Sequence, residues 1–119
     1  MGFARLSLVL IALACLAASS SGAAASTSRS VGVNETEYRI SLGRSTVPHG
    51  RITFYIANFG QDDHNLKVAR HQIGYGFSGR IPAGAHTQFT VRLRPGRYNL
   101  YCTVPGHRAM GMLARLVVT

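Results

Sequence analysis

From Pro48 onward, turn-forming residues interrupt the chain at short intervals, and between them lie short runs rich in Val, Ile, Thr, Tyr and Phe. Pro48-His49-Gly50, Pro82-Ala83-Gly84 and Pro95-Gly96 are the clearest stops, because proline presets φ for a turn and glycine tolerates the positive φ that many turns need. Strands are predicted for Glu37 to Leu42, Arg51 to Asn58, Asn65 to Ala69, His86 to Leu93, Arg97 to Thr103 and Met112 to Thr119. No helical period of any length competes with them. The expected class is therefore all-β, a sandwich or barrel around one core.

Alternation assigns the faces. Tyr38, Ile40 and Leu42 share one side of the first predicted strand, with Glu37, Arg39 and Ser41 on the other. Arg51 to Asn58 reads as apolar on both faces, as a central strand would be. Phe89, Val91 and Leu93 face inward on the next long strand, and Tyr98, Leu100 and Cys102 share a face on the one after it. Gly74 to Gly79 is read as a glycine-rich connection; no lysine and no helix follow it, so it is not a phosphate cradle.

The N-terminus reads as a processing segment. Arg5 supplies a positive charge, Leu6 to Ala18 is an apolar run shorter than the ~20 residues a spanning helix needs, and Ala23-Ala24-Ala25 offers a small-residue cleavage site. Residues 1–25 are expected to be a signal peptide, 26–32 a short flexible linker, and 33–119 the folded domain, with a periplasmic or other extracytoplasmic destination and no integral membrane span. Leu13-Ala14-Cys15 resembles the end of a lipoprotein box, but Ala12 stands where such a box has Leu, so Cys15 is read as an ordinary apolar signal residue. Once the leader is lost, Cys102 is the remaining thiol, and a leftover cysteine in an exported chain points to a reactive or liganded sulfur. Net charge is +9, one less without Arg5, which favours anionic partners. The basic residues are scattered without a block or aromatic stripe, so nucleic-acid recognition is not expected.

Cys102, His107 and Met112 place a thiol, an imidazole and a thioether in one short loop, Tyr-Cys-Thr-Val-Pro-Gly-His-Arg-Ala-Met-Gly-Met. Soft sulfur donors beside imidazole nitrogen select copper, and two His, one Cys and a weak axial Met make the mononuclear electron-transfer arrangement. The second His has to come from elsewhere in the chain. His64 is the candidate, at the start of a predicted strand and directly followed by Asn65.

Together, the stretch N-x-G-x-x-x-H-N from Asn58 to Asn65 and the downstream C-x₂-P-G-H-x₄-M from Cys102 to Met112 resemble the small blue copper proteins, the plastocyanin and azurin family of cupredoxins, across essentially all of Val33 to Thr119. The resemblance implies a Greek-key β-sandwich of about seven to eight strands, holding one type 1 copper ion on His64, Cys102, His107 and Met112. Asn65 matches the family Asn whose amide ties the two ligand loops together near the Cys sulfur. Asp63 stands where azurins place a Gly before the first His, so the extra axial carbonyl contact of azurins is not assigned. The pattern is nearer to auracyanin- or plastocyanin-like members.

The resemblance further implies that His107 is the electron port, framed by Val104, Pro105, Ala109 and Met110, with Arg108 beside it to select an acidic surface on a redox protein partner. Met112 is preferred to Met110 as axial ligand because it leads straight into the closing strand. The implied function is single-electron carriage by an exported, monomeric protein, with copper binding or copper delivery through the same ligands as the alternative. Enzyme activity is not expected: the chain has 5 His and lacks the extra copper ligands of oxidases and nitrite reductases. His49, His71 and His86 are read as surface residues, and Asp62 and Asp63 as solvated loop residues or local partners of arginines.

Overall fold

The computed structural model describes residues 28–119, together with Gly2 and Gly22. The export signal read over residues 1–25, Cys15 and the first two residues of the 26–32 segment therefore lie outside the described residues, the two glycines apart.

Nine strands follow one another along the described chain: β1 (Ser30–Thr36), β2 (Arg39–Leu42), β3 (Thr46–Val47), β4 (Gly50–Asn58), β5 (Lys67–Arg70), β6 (Ile73–Phe77), β7 (His86–Leu93), β8 (Gly96–Tyr101) and β9 (Leu113–Val118). They form two sheets, ordered β2-β1-β4-β7 and β3-β9-β8-β5-β6, which makes the expected all-β sandwich. Both sheets are mixed: β1 runs parallel to β4 and β3 parallel to β9, while the other pairings are antiparallel.

The core comes from period-two alternation. Val31 and Val33 of β1, Ile52, Phe54 and Ile56 of β4, and Leu93 of β7 point inward from one sheet, and Val68, Tyr98, Leu100, Leu116 and Val118 meet them from the other. Burying one such side chain fully contributes roughly 1.5–3 kcal/mol. The Phe54 and Phe89 rings stack with centroids 5.3 Å apart. β4 has one buried face, not two: Ile52, Phe54, Ile56 and Asn58 face inward, while Tyr55 is 51% exposed on the outer side. Its central position, between β1 and β7, is as read.

The strand count exceeds the seven to eight expected, for identifiable reasons. β1 starts at Ser30, inside the 26–32 segment and ahead of Val33, because Val31 pairs with Phe54 of β4 far along the chain. β6 occupies most of the glycine-rich stretch read as a connection, and joins β5 through a turn in which His71 and Gln72 take φ of 49° and 65°. β3 is only two residues long. The first predicted strand is shorter than read: Glu37 and Tyr38 form the turn between β1 and β2.

This topology gathers distant segments at one end of the sandwich. Because β1 and β4 are parallel, the turn after β1 emerges beside the loop after β4. Because β5 is antiparallel to β8, with Lys67 opposite Tyr101, the segment His64 to Leu66 arrives beside Cys102 and Thr103. Among the described residues, no helix is long and apolar enough to cross a membrane.

Candidate metal centre

Cys102 continues the inward alternation of Tyr98 and Leu100 and is wholly buried at the end of β8. The loop that follows turns back at once. The N–H of His107 donates to the Val104 carbonyl at 3.0 Å, the N–H of Met112 to the His107 carbonyl at 3.1 Å, and the N–H of Cys102 to the Met112 carbonyl at 3.3 Å. Gly111 makes the return possible with φ of +121°, where an L side chain would be strained and a Cβ would press on the Tyr38 carbonyl. His107 and Met112 are thereby folded in beside Cys102.

His64 comes from the other ligand segment. Its backbone exchanges two hydrogen bonds with Ile81, at 3.1 and 2.8 Å, in an isolated antiparallel bridge. Asn58 shapes the approach to it: the amide donates to the carbonyls of Asp62 and Ile81 at 2.8 and 2.9 Å, and accepts from the Gly60 N–H at 2.8 Å. His64 has no solvent exposure.

One donor atom each from His64, Cys102 and His107 lies within 4.8 Å of the others, and all three residues are buried. The facing atoms are specific: His64 Nδ1 is 3.2 Å from His107 Nδ1, which in turn is 3.7 Å from Cys102 Sγ. Two imidazole nitrogens and a sulfur converging at a buried point is the donor chemistry of a copper or zinc site. Met112 is fully buried and tied through its backbone to both Cys102 and His107, whereas Met110 is 59% exposed. The donor set therefore fits a soft transition metal.

Asn65 joins the two ligand segments. Its Oδ1 accepts the Thr103 N–H at 2.8 Å and its Nδ2 donates to Thr103 Oγ1 at 2.9 Å. Burial pushes the Cys102 thiol above its ordinary value, opposed by backbone N–H groups of Val104 and Asn65 that favour the thiolate, and reinforced by the charge of Glu35.

His107 is 8% exposed, its ring edge-on to Tyr38 with centroids 5.2 Å apart. Val104 is half-buried, and Pro105, Arg108, Ala109 and Met110 are exposed along the same loop. The Arg108 guanidinium lies 4.0 Å over the Tyr101 ring. Asp62 Oδ2 is 3.9 Å from His107 Nε2, and Asp63 pairs with Arg80. His49, His71 and His86 are exposed and do not enter the donor cluster.

Two residues without an assigned role in the sequence reading stand at this end. Glu37, placed there on an outward strand face, sits in the β1–β2 turn with Oε1 3.1 Å from His64 Nε2 and 2.7 Å from the backbone N of Gln61 and of Asp62. The Asp62 N–H, chiefly, holds this carboxyl below its usual range, with burial opposing. Glu35 is fully buried on β1, its carboxyl oxygens without a partner among the described residues, and burial pushes it up to about 8. A usable signal existed: the chain's 4 acidic residues are Glu35, Glu37, Asp62 and Asp63, confined to two short stretches of a strongly basic protein.

A family profile for the cupredoxin-like domain matches residues 7–114. The chain belongs to the cupredoxin family. Solved structures share the fold at low identity. Dithionite-reduced auracyanin from Roseiflexus castenholzii aligns with this cupredoxin at a TM-score of 0.66 and 20% identity, over 78% of this chain and 98% of that one. Auracyanin A of Chloroflexus aurantiacus, a "blue" copper protein, aligns at 0.62 and 17%, over 76% and 98%. Rusticyanin from Thiobacillus ferrooxidans aligns at 0.65 and 17%, over 78% and 79%. No curated protein sequence matches the chain.

Proposed function

We propose that this cupredoxin is an exported type 1 copper protein that passes single electrons between redox partners, with His64, Cys102, His107 and Met112 as the residues that would hold the copper. The observation that carries the reading is the convergence of two imidazole Nδ1 atoms and one sulfur in a buried cluster, His64 from one segment and Cys102 and His107 from another. Copper, when bound there, supplies a Cu(II)/Cu(I) couple whose potential is set by the axial ligand and by hydrogen bonding around the Cys sulfur.

The chain's own residues perform the remaining tasks. Asn65 and the Cys102–Met112 backbone bond hold the donors in one arrangement, so little needs to move when the charge at the site changes. That rigidity favours electron carriage over delivery, since releasing a metal requires the ligand loop to open. The buried walls exclude water. His107, with its edge near the surface among Val104, Pro105, Ala109 and Met110, is the port, and Arg108 the contact for an acidic partner.

The test is addition of Cu(II) to purified mature protein. The expected result is an intense thiolate-to-copper absorption band in the visible, lost in Cys102→Ser, and reversible reduction with copper retained. A wild type without the band, or a Cys102→Ser variant that keeps it, refutes the reading; loss of copper on reduction would favour delivery.

A further inference from the structure

His64 is buried with both ring nitrogens engaged, Nδ1 facing His107 and Nε2 facing Glu37. A carboxylate only accepts, so the proton on that edge belongs to the ring: Nε2–H donates to Oε1, and the lone pair with which the ring can bind a metal is the one at Nδ1. That lone pair points into the donor cluster. The same carboxylate oxygen also receives the N–H groups of Gln61 and Asp62.

The loop after β4 is built around this carboxylate. Asn58 pins the loop at Gly60, Asp62 and Ile81, which turns the N–H groups of residues 61 and 62 toward Glu37. Gly60 leaves the necessary space, because a Cβ there would run into the Glu37 carboxyl group. The Asn-x-Gly spacing upstream of His64 thus serves a side chain from a different segment. Acidic residues are scarce here, 4 against 13 Lys and Arg, yet this one backs a ligand candidate.

We propose that Glu37 is the positioning residue for His64: by accepting Nε2–H it presents Nδ1 as the coordinating atom, and its charge behind the imidazole strengthens the ring as a donor to Cu(II) and lowers the reduction potential. The inference rests on the copper reading above. Outer partners of this kind raise ligand basicity, and their loss typically costs about 10–100-fold in metal affinity.

Two measurements test it. Long-range ¹H–¹⁵N spectra of the copper-free protein locate the His64 ring proton, and Cu(II) competition titration with voltammetry follows wild type, Glu37→Gln, Glu37→Ala and Gly60→Ala. The wild-type proton is expected on Nε2. Glu37→Gln, which keeps an acceptor but loses the charge, is expected to retain that tautomer and raise the potential. Glu37→Ala and Gly60→Ala are expected to weaken Cu(II) binding about 10–100-fold. Should Glu37→Ala fail to fold, the Gln and Gly60 variants decide.

A wild-type His64 protonated on Nδ1 overturns the proposal. So does an unchanged potential in Glu37→Gln together with unchanged affinity in Gly60→Ala. Wild-type protein that takes up no Cu(II) overturns the electron-carrier reading and the copper part of this one, while the proton position still shows whether Glu37 orients the ring.

Discussion

The loop from Cys102 to Met112 closes on itself through hydrogen bonds between residues near in sequence, whereas His64 is held by Ile81 and Glu37 and by a loop that Asn58 ties down. One ligand segment is a local structure that a short sequence can specify. The other exists only once β1, β4 and the segment at Ile81 have come together. Three of the proposed donors thus travel as a unit, and the fourth is supplied by the completed sandwich.

Asn58→Ala should break the long-range side most severely. It removes three hydrogen bonds at a buried position and leaves the Asp62 carbonyl and the Gly60 N–H to find other partners, while the Ile81 carbonyl keeps the His64 N–H. At about 1 kcal/mol net per bond, the expected loss is about 3 kcal/mol in urea unfolding. Amide chemical shifts within Cys102–Met112 should change little. Large shifts throughout that loop would mean that the two regions are not separately held.

Glu35 lies on the same long-range side, at the register position opposite Asn58, and it is burial that disfavours its charged form. Its folded-state value of about 8 lies above the ordinary 4.5, so the folded protein keeps a proton that the unfolded chain releases between those values. Stability should therefore be full at acid pH and fall as pH rises through this window, by at most about 1.4 kcal/mol per pH unit. Denaturant melts of the copper-free protein from pH 5 to pH 9 check this. Glu35→Gln should flatten the profile and be the more stable protein at pH 9; an equally steep profile in that variant rejects the assignment.

Where the two regions meet, Asn65→Ala should cost about 1–2 kcal/mol through its lost bonds to Thr103 and shift the visible band, as read by chemical unfolding and absorption of the copper form. The smallest stability effects belong to the local loop. Met→Leu exchanges conserve volume and cost less than about 1.5 kcal/mol. Met112→Leu should nevertheless move the spectrum and potential, while Met110→Leu, at an exposed position, should leave both unchanged. The reverse pattern would make Met110 the axial ligand.

The same contrast explains what was legible in the chain. Inward alternation placed Cys102 on a core face, and the C-x₂-P-G-H motif set His107 close behind it, because those constraints act within a few residues. His64 was legible through its Asn neighbour and the family spacing rather than through its surroundings. Glu37 was not read, since its partners are 24 to 27 residues away, and only the confinement of the acidic residues to two short stretches hinted at it. Glu35 alternates in step with Val31 and Val33, but reading that pattern required knowing that β1 begins at Ser30. β6 was hidden because glycine weakens any strand signal, and its ladder with β5 is interrupted by a register shift between Val68 and Ala69.

β6 is also an outermost strand of its sheet, bordered there by β5 alone among the described strands, and it displays Ile73, Tyr75 and Phe77 at 60, 40 and 54% exposure. A free edge with apolar side chains is a template onto which another chain can pair as an added strand. The chain's net charge of +9 supplies a repulsion between copies that opposes such stacking, and that repulsion is screened within about 10 Å at 0.1 M salt. Colloidal behaviour of the protein should therefore depend on ionic strength: dispersed in dilute buffer, and increasingly prone to self-association as salt is added.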